Sequence, residues 1–286
     1  MSHHESLDQR LGQAAEAIRA ADAILIGAGA GMGVDSGLPD FRGRHGFWNA
    51  YPPYQKLGLD FVSLANPRWF WNDPELAWGF YGHRMMLYRT TKPHDGFAIL
   101  RRWISRKRHG GFVYTSNVDG HFQAAGFSPE QVFEVHGAIG AMQCLGNCGV
   151  GIFPADAHSV VIDEETMRAV PPLPRCPRCG GLARPNILMF GDWDWDPSHA
   201  EIQHDQLKAW LHSIAGAELV VIECGAGTAV PTVRLTCEDI TQQHLATLIR
   251  INVREYDVPA GQIALPMGAL DALRQLDERL GAPASQ

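Results

Sequence analysis

Leu7, Leu11, Ala14, Ala15 and Ile18 recur at the three-and-four spacing of one helix face, and the run Ala23-Ile-Leu-Ile26 behind them is short, wholly apolar and stopped by glycine. The pattern predicts a helix leading into a strand buried on both faces. Similar runs stand at Phe112-Val-Tyr-Thr115, Ile187-Leu-Met-Phe190, Leu219-Val-Val-Ile222 and Leu248-Ile-Arg-Ile251, and helical stretches cover roughly 67–89, 94–107, 198–214 and 266–280. Strands alternating with helices predict an α/β fold, a doubly wound parallel sheet covered on both faces. Such sheets bind ligands beyond the carboxyl ends of their strands.

Two stretches break the rhythm. Residues 44–66 carry aromatics and prolines (Phe47, Trp48, Tyr51, Pro52, Pro53, Tyr54) with little periodicity, directly after a glycine-rich loop, and read as a mobile cover over a ligand. Residues 140–184 hold four of the six cysteines among many Gly and Pro residues, which reads as a small insertion. Cys144-x3-Cys148 and Cys176-x2-Cys179 form two closely spaced pairs, the arrangement of a tetrahedral zinc thiolate site where disulfides are disfavoured. Four protein ligands leave no open coordination position, so the zinc is expected to be structural. Cys224 and Cys237 stand alone and read as core residues.

Composition narrows the partners. The chain has 286 residues, 45% of them hydrophobic and 19% charged, enough for one large α/β domain with an insertion or for two small domains. Its net charge of −7 opposes binding to nucleic acid or anionic lipid. No apolar run approaches the roughly 20 residues of a membrane helix, and Met1 to Ser6 lack a basic stretch followed by an apolar one. The expectation is a cytoplasmic protein with no nucleic-acid or membrane partner. His3 and His4 read as part of an exposed terminus rather than as metal ligands.

The candidate chemistry begins after the first strand, where Ile26-Gly-Ala-Gly-Ala-Gly-Met-Gly-Val-Asp-Ser-Gly37 offers backbone N–H groups that can approach a pyrophosphate closely. The spacing does not satisfy G-x-G-x-x-G, because Met32 and Val34 occupy the positions a third glycine would need. The following run, Ser36-Gly-Leu-Pro-Asp-Phe-Arg42-Gly43, together with Gly29-Ala30-Gly31, resembles the NAD loop of the sirtuin family. Thr115-Ser-Asn-Val-Asp119 with Ala125-Gly126 resembles that family's Thr-Gln-Asn-Ile-Asp…Ala-Gly stretch. Glu134-Val-His136-Gly137 resembles its catalytic His-Gly, Arg184-Pro-Asn-Ile-Leu-Met-Phe-Gly-Asp192 its Arg-Pro-x-Val-Val-x-Phe-Gly-Glu, and Ile251-Asn252 its late Ile-Asn near the adenosine. These blocks keep the family order from about residue 21 to residue 280.

The resemblance implies NAD-dependent removal of an acyl group from lysine, the acyl moiety passing to ADP-ribose with release of nicotinamide. It implies a Rossmann-like NAD-binding domain of residues 1–43, 91–139 and 185–286, and a smaller zinc-binding and helical domain of residues 44–90 and 140–184. His136, Asn117 and Asp119 would be catalytic: a neutral imidazole can take a proton from a ribose hydroxyl, while Asn117 and Asp119 would hold the nicotinamide and ribose. Gly29, Ala30, Gly31, Asp40, Phe41, Arg42, Ser116, Val118, Gly225, Ala226, Gly227 and Asn252 would bind NAD. Tyr81 and Arg84, three residues apart on one helix face, resemble the Tyr-x-x-Arg of sirtuins that read acidic acyl groups, since a guanidinium fork and a phenol suit a carboxylate. Phe190 and Gly191 would pair with substrate backbone as an added strand. The substrate would be an acyl-lysine protein or a smaller molecule, with acetyl, succinyl and malonyl groups all candidates.

Several positions depart from the family pattern. Ser116 stands where the family has glutamine, Gly31-Met-Gly33 replaces Gly-Ile-Ser, Gly225-Ala226-Gly227-Thr228 matches Gly-Thr-Ser-Leu only loosely, Asp192 replaces glutamate, and Phe97 replaces a histidine. Asp192-Trp-Asp-Trp-Asp196 reads two ways, as an acidic surface for basic peptides or, through Asp196-Pro197, as a helix cap. Trp69, Phe70, Trp71, Trp78 and Phe80 read as helical core. ADP-ribosyl transfer or NAD hydrolysis stands as an alternative activity, and a silent NAD-sensing scaffold as an alternative from another class.

Overall fold

The computed structural model describes residues 6–39, 47–49, 51–156 and 158–281. Eleven strands lie among them: β1 (Ala23–Ala28), β2 (Gly111–Thr115), β3 (Val132–Glu134), β4 (Gly137–Cys144), β5 (Phe153–Pro154), β6 (Val161–Asp163), β7 (Arg168–Val170), β8 (Ala183–Ile187), β9 (Leu219–Cys224), β10 (Thr247–Ile251) and β11 (Ile263–Leu265). Six of them make one sheet, ordered β11-β10-β9-β1-β2-β3, and every pairing in it is parallel. From β1 the chain builds outward to β2 and β3, then returns to the other side of β1 to lay down β9, β10 and β11. The crevice between β1 and β9, at their carboxyl ends, is therefore the topological switch point.

Side chains alternate across β1, so Ile24, Ile26 and Ala28 enter one core and Ala23 and Leu25 the opposite one. The first core is closed by three helices, α1 (Leu7–Ala20), α3 (Asp95–Ser105) and α6 (Ala269–Gly281); the second is closed by α4 (Ser198–Ser213) and α5 (Thr232–Gln243). Local signals set the ends: Ser6 and Gln9 form a reciprocal capping box at the start of α1. No helix among the described residues is long and apolar enough to cross a membrane.

A third core lies apart from the large sheet and is mostly aromatic. Phe47, Tyr51, Tyr54, Phe70, Trp78, Phe80 and Tyr81 are all buried in it, against residues of β4 and β8. Its spine is helix α2 (Pro74–Thr90). The helical pattern read over 67–89 is two helices, because Asp73 caps Leu76 N–H and Pro74 occupies the first turn, ending the preceding Arg68–Asn72 helix. Trp71 departs from the core reading, being 62% exposed. Residues 51–66, read as part of a cover of little periodicity, form short helices whose tyrosines pack into this core.

The strand read at 187–190 is corrected. The strand is β8, four residues earlier, and it pairs antiparallel with β4 in a separate three-stranded sheet, β5-β4-β8. Arg184 and Asn186 alternate through it as buried polar residues, so hydropathy locates only its apolar tail.

A buried ion pair ties β9 to β10. Arg250 lies opposite Glu223 in the register and donates to both its carboxylate oxygens at 2.6 and 2.8 Å, and to Glu238 of α5 at 2.7 Å. Burial raises the Glu223 carboxyl, and Arg250 opposes that shift. Removing one partner leaves the other desolvated and unpaired. R250A is therefore expected to lose about 3–5 kcal/mol in denaturant unfolding, and the double variant E223L/R250L less than R250A; a single-variant loss under about 1 kcal/mol would refute the pair's role.

Candidate active site

Two glycine-bearing loops meet at the switch point. Gly29 N–H donates to Cys224 O at 3.0 Å and Gly31 N–H to Gly225 O at 3.0 Å, which lashes the turn after β1 to the turn after β9. The approach is possible only without side chains: a Cβ on Gly29 would lie 2.6 Å from Ala226 Cα, and one on Gly225 would lie 2.4 Å from the Gly31 carbonyl carbon. Gly225 also has φ +64°, where a side chain is strained. Ala30 lies between the two lashed glycines, and Gly227 follows the buried Ala226. Asn252, at the end of β10, donates to Ala226 O at 2.8 Å and accepts from the Arg254 and Glu255 N–H groups, so the third loop is fixed to the second. Three turns thus meet at the switch point, where open parallel sheets take their ligands. Asp40, Phe41 and Arg42 lie outside the described residues.

The reactive end of the crevice is built on β2 and β3. Thr115 Oγ1 donates to Ala28 O at 2.9 Å and accepts from Asn117 N–H, while Asn117 Nδ2 donates to Gly29 O at 3.0 Å. Val135 N–H donates to Thr115 O and Ile139 N–H to Val118 O, both at 2.9 Å, so the turn carrying His136 runs beside Ser116–Asp119. The His136 imidazole is half-buried, close enough to the Ser116 backbone for it to favour the charged ring. Burial lowers its pKa more than the Ser116 backbone raises it, which favours the neutral ring at physiological pH. A neutral imidazole carries one nitrogen free to accept a proton. Thus His136, Ser116, Asn117 and Asp119 are brought together, joined by backbone as well as side-chain bonds.

Asp119 accepts from His121 N–H at 2.9 Å, and burial raises its carboxyl against the opposing charge of His121 and Arg84. Arg84 comes from α2 and is buried, donating to Tyr88 Oη at 2.9 and 2.7 Å with its plane among Phe80, Phe61, Tyr81 and Tyr88. Phe61 meets Phe190 edge-on at 6.3 Å. A chain of contacts thus links Phe190 through Phe61 to Arg84, whose charge acts in turn on Asp119. Tyr81 is buried, its ring tilted against Phe70 and facing the Arg84 guanidinium. Phe190 is 37% exposed, its N–H held by Ala65 O, and Gly191 follows it at the surface.

The four cysteines of the two pairs converge. The Sγ atoms of Cys144, Cys148, Cys176 and Cys179 lie within 4.8 Å of one another, with 3.6 Å between Cys144 and Cys179 and 3.5 Å between Cys148 and Cys176. A tetrahedron of thiolates about 2.3 Å from zinc sets its ligands roughly 3.8 Å apart, so the residues fit that metal. Cys224 and Cys237 are buried elsewhere, in the cores flanking the large sheet.

Two residues near the site carried no separate signal. Glu134 is buried behind His136, its carboxyl pushed up to about 7 by burial against the bonds from Gln123 and Gln203. His121 is 1% exposed and its ring nitrogens make no hydrogen bond. Only the tertiary packing reveals either environment. Phe97, at the position where the resemblance has histidine, packs edge-on against His121 and Phe122.

Comparison with known proteins accords with this arrangement. Residues 29–223 match the model of the Sir2 family. The chain is 30% identical over 230 residues to NAD-dependent protein deacylase 1 of Archaeoglobus fulgidus, covering 79% of this chain and 80% of that one. It is 32% identical over 245 residues to a probable bifunctional ADP-ribose hydrolase/ADP-ribosyltransferase of Fusarium oxysporum, covering 82% of this chain and 40% of that protein. A solved Sir2 homologue mutant in complex with 2'-O-acetyl ADP ribose superposes with a TM-score of 0.66 at 26% identity, over 96% of this chain and 99% of that one.

The cysteine geometry makes a measurable demand. The purified protein is expected to carry about one zinc per chain, and stripping it with a strong chelator is expected to lower the unfolding midpoint by more than about 10 °C, since such a site contributes several kcal/mol to folding. C176S should lose the metal. A metal-free protein of unchanged midpoint would contradict the assignment.

Proposed function

The chain belongs to the Sir2 family, and on that premise we propose that it removes acyl groups from lysine side chains at the expense of NAD. NAD supplies the ADP-ribose that receives the acyl group, with release of nicotinamide. The observation that carries this reading is the half-buried His136 imidazole, its pKa lowered by burial, on a turn that backbone bonds hold beside Ser116–Asp119. Its unprotonated nitrogen takes a proton from a ribose hydroxyl, the task of a base whose pKa lies at or below working pH. Asn117, tied to Gly29 O, positions the nicotinamide end of the cofactor, and Asp119 shapes the same pocket. Gly29–Gly31 and Gly225–Gly227 hold the pyrophosphate, and Asn252 fixes the adenosine loop.

The acyl group enters along Phe190 and Phe61 toward Arg84. A guanidinium held in an aromatic surround is a strong partner for a carboxylate in a site screened from water, which favours succinyl and malonyl groups. The lysine-bearing segment lies alongside Phe190–Gly191 as an extended strand. Paired thiols in a metal-binding arrangement accord with a reducing, cytoplasmic site of action. ADP-ribosyl transfer is the second reading, supported by the likeness to the Fusarium protein.

The two readings separate by product. Incubated with NAD and a panel of acetyl-, succinyl- and malonyl-lysine peptides, the protein is expected to yield deacylated peptide and acyl-ADP-ribose, as followed by mass spectrometry. R84M is expected to lose at least about tenfold more activity on succinyl than on acetyl peptide, a charge-assisted contact having been removed. Free ADP-ribose or ADP-ribosylated protein beside untouched peptides would establish the second reading instead.

A further inference from the structure

Trp193 is 95% exposed, and no other aromatic among the described residues approaches that degree, Trp71 following at 62%. A loop carrying such a side chain could be left loose. This one is pinned at every second residue: Asp192 receives both ends of the buried Arg184 guanidinium, Asp194 O accepts from Gln143 Nε2 at 2.7 Å, and Asp196 N–H donates to Gln143 Oε1 at 3.1 Å while its carbonyl accepts from Asn186 Nδ2 at 2.9 Å. Arg184, Asn186 and Gln143 are between 1% and 4% exposed and belong to β8 and β4. Ordering this loop gives the buried Arg184, Asn186 and Gln143 their polar partners and leaves the indole exposed between two anchored residues. The benefit of a rigidly presented indole is realised on binding.

The surrounding charge identifies what is bound. Asp192 is neutralised by Arg184, and Asp196 Oδ1 caps the N–H of Ser198 at the start of α4. Asp194 is exposed, and no described cation pairs with its carboxylate. An exposed indole followed in sequence by an exposed carboxylate, on a chain of net charge −7, suits a Lys or Arg side chain. Trp193 stands two residues beyond Gly191, past the turn at Phe190–Gly191 along which the substrate segment would lie.

We propose that Trp193 and Asp194 form a shelf that binds a basic side chain within about three residues of the acyl-lysine, so that the protein selects acyl-lysines in basic sequence. The proposal rests on the deacylase reading for the placement of the peptide along Phe190–Gly191, and its test separates the two.

Fluorescently labelled acyl-lysine peptides identical except for Arg, Ala or Glu at positions flanking the acyl-lysine are titrated into the zinc-loaded protein with ADP-ribose, with binding read by anisotropy. The same unlabelled peptides are then followed with NAD for KM and kcat. The Arg peptide is expected to bind about tenfold tighter than the Ala peptide, the scale of a cation over an exposed indole with an adjacent carboxylate, and the Glu peptide weaker still. The difference should appear in KM and should collapse in W193A and, in part, in D194N, whose zinc content and unfolding midpoint report an intact loop. A charge preference that survives in W193A overturns the shelf, as does its absence in the wild type. An effect of W193A confined to self-association would assign the indole to a second copy of the chain and likewise overturn it. Charge-selective binding without consumption of any peptide would uphold the shelf and contradict deacylation; consumption without charge preference would do the reverse.

Discussion

The close approach of two backbones at the ends of β1 and β9 is the constraint on which the rest of the molecule depends. Gly29 and Gly225 permit it because neither carries a Cβ, and the bonds Gly29–Cys224 and Gly31–Gly225 fix it. Everything chemical is referred to that point. Thr115 and Asn117 reach it from β2 through Ala28 O and Gly29 O, and Asn252 reaches it from β10 through Ala226 O. His136 joins from the turn after the adjacent β3, which backbone bonds hold beside Ser116–Asp119. A narrow crevice whose walls are main chain is preorganised by the sheet itself, so the cofactor would meet groups already in place.

The second module meets this frame through buried polar side chains as well as apolar packing. Arg184, Gln143 and Asn186 hold the 192–196 loop, Leu188 N–H donates to His136 O, and Phe190 N–H donates to Ala65 O. Arg84 of α2 projects close enough to Asp119 to act on its charge. The reacting groups and the substrate-facing groups thus come from different cores but share a continuous bonded surface. A metal holding residues 144–179 together would secure the far end of that surface, near where β4 and β8 pair, without contacting substrate.

Much of this was legible in the sequence, and the gaps have physical causes. The four central strands of the large sheet are buried on both faces because helices cover both faces, so short, mainly apolar runs located them, the Glu223–Arg250 pair being the polar exception. β8 escaped because its buried side chains include Arg184 and Asn186, polar residues satisfied by the 192–196 loop and by Gln143 of β4. β3 and β11, three residues each, are too short to carry a period. The zinc cysteines and the spacing around His136 could be read as patterns of residue types. The environment of Glu134, the aromatic surround of Arg84 and the burial of His121 could not, since each is a property of elements brought together by the fold.

The account stands on the His136 imidazole acting in its neutral form, and the pH dependence of deacylation in the wild type and in H136A tests it most directly. With NAD saturating, wild-type kcat/KM for acyl-peptide should rise with pH to a plateau reached through an acid limb below about 6.5, because burial lowers the imidazole from its ordinary value. H136A should fall by at least about 100-fold and lose that limb. Full deacylation by H136A, or the same acid limb persisting in it, would contradict the account.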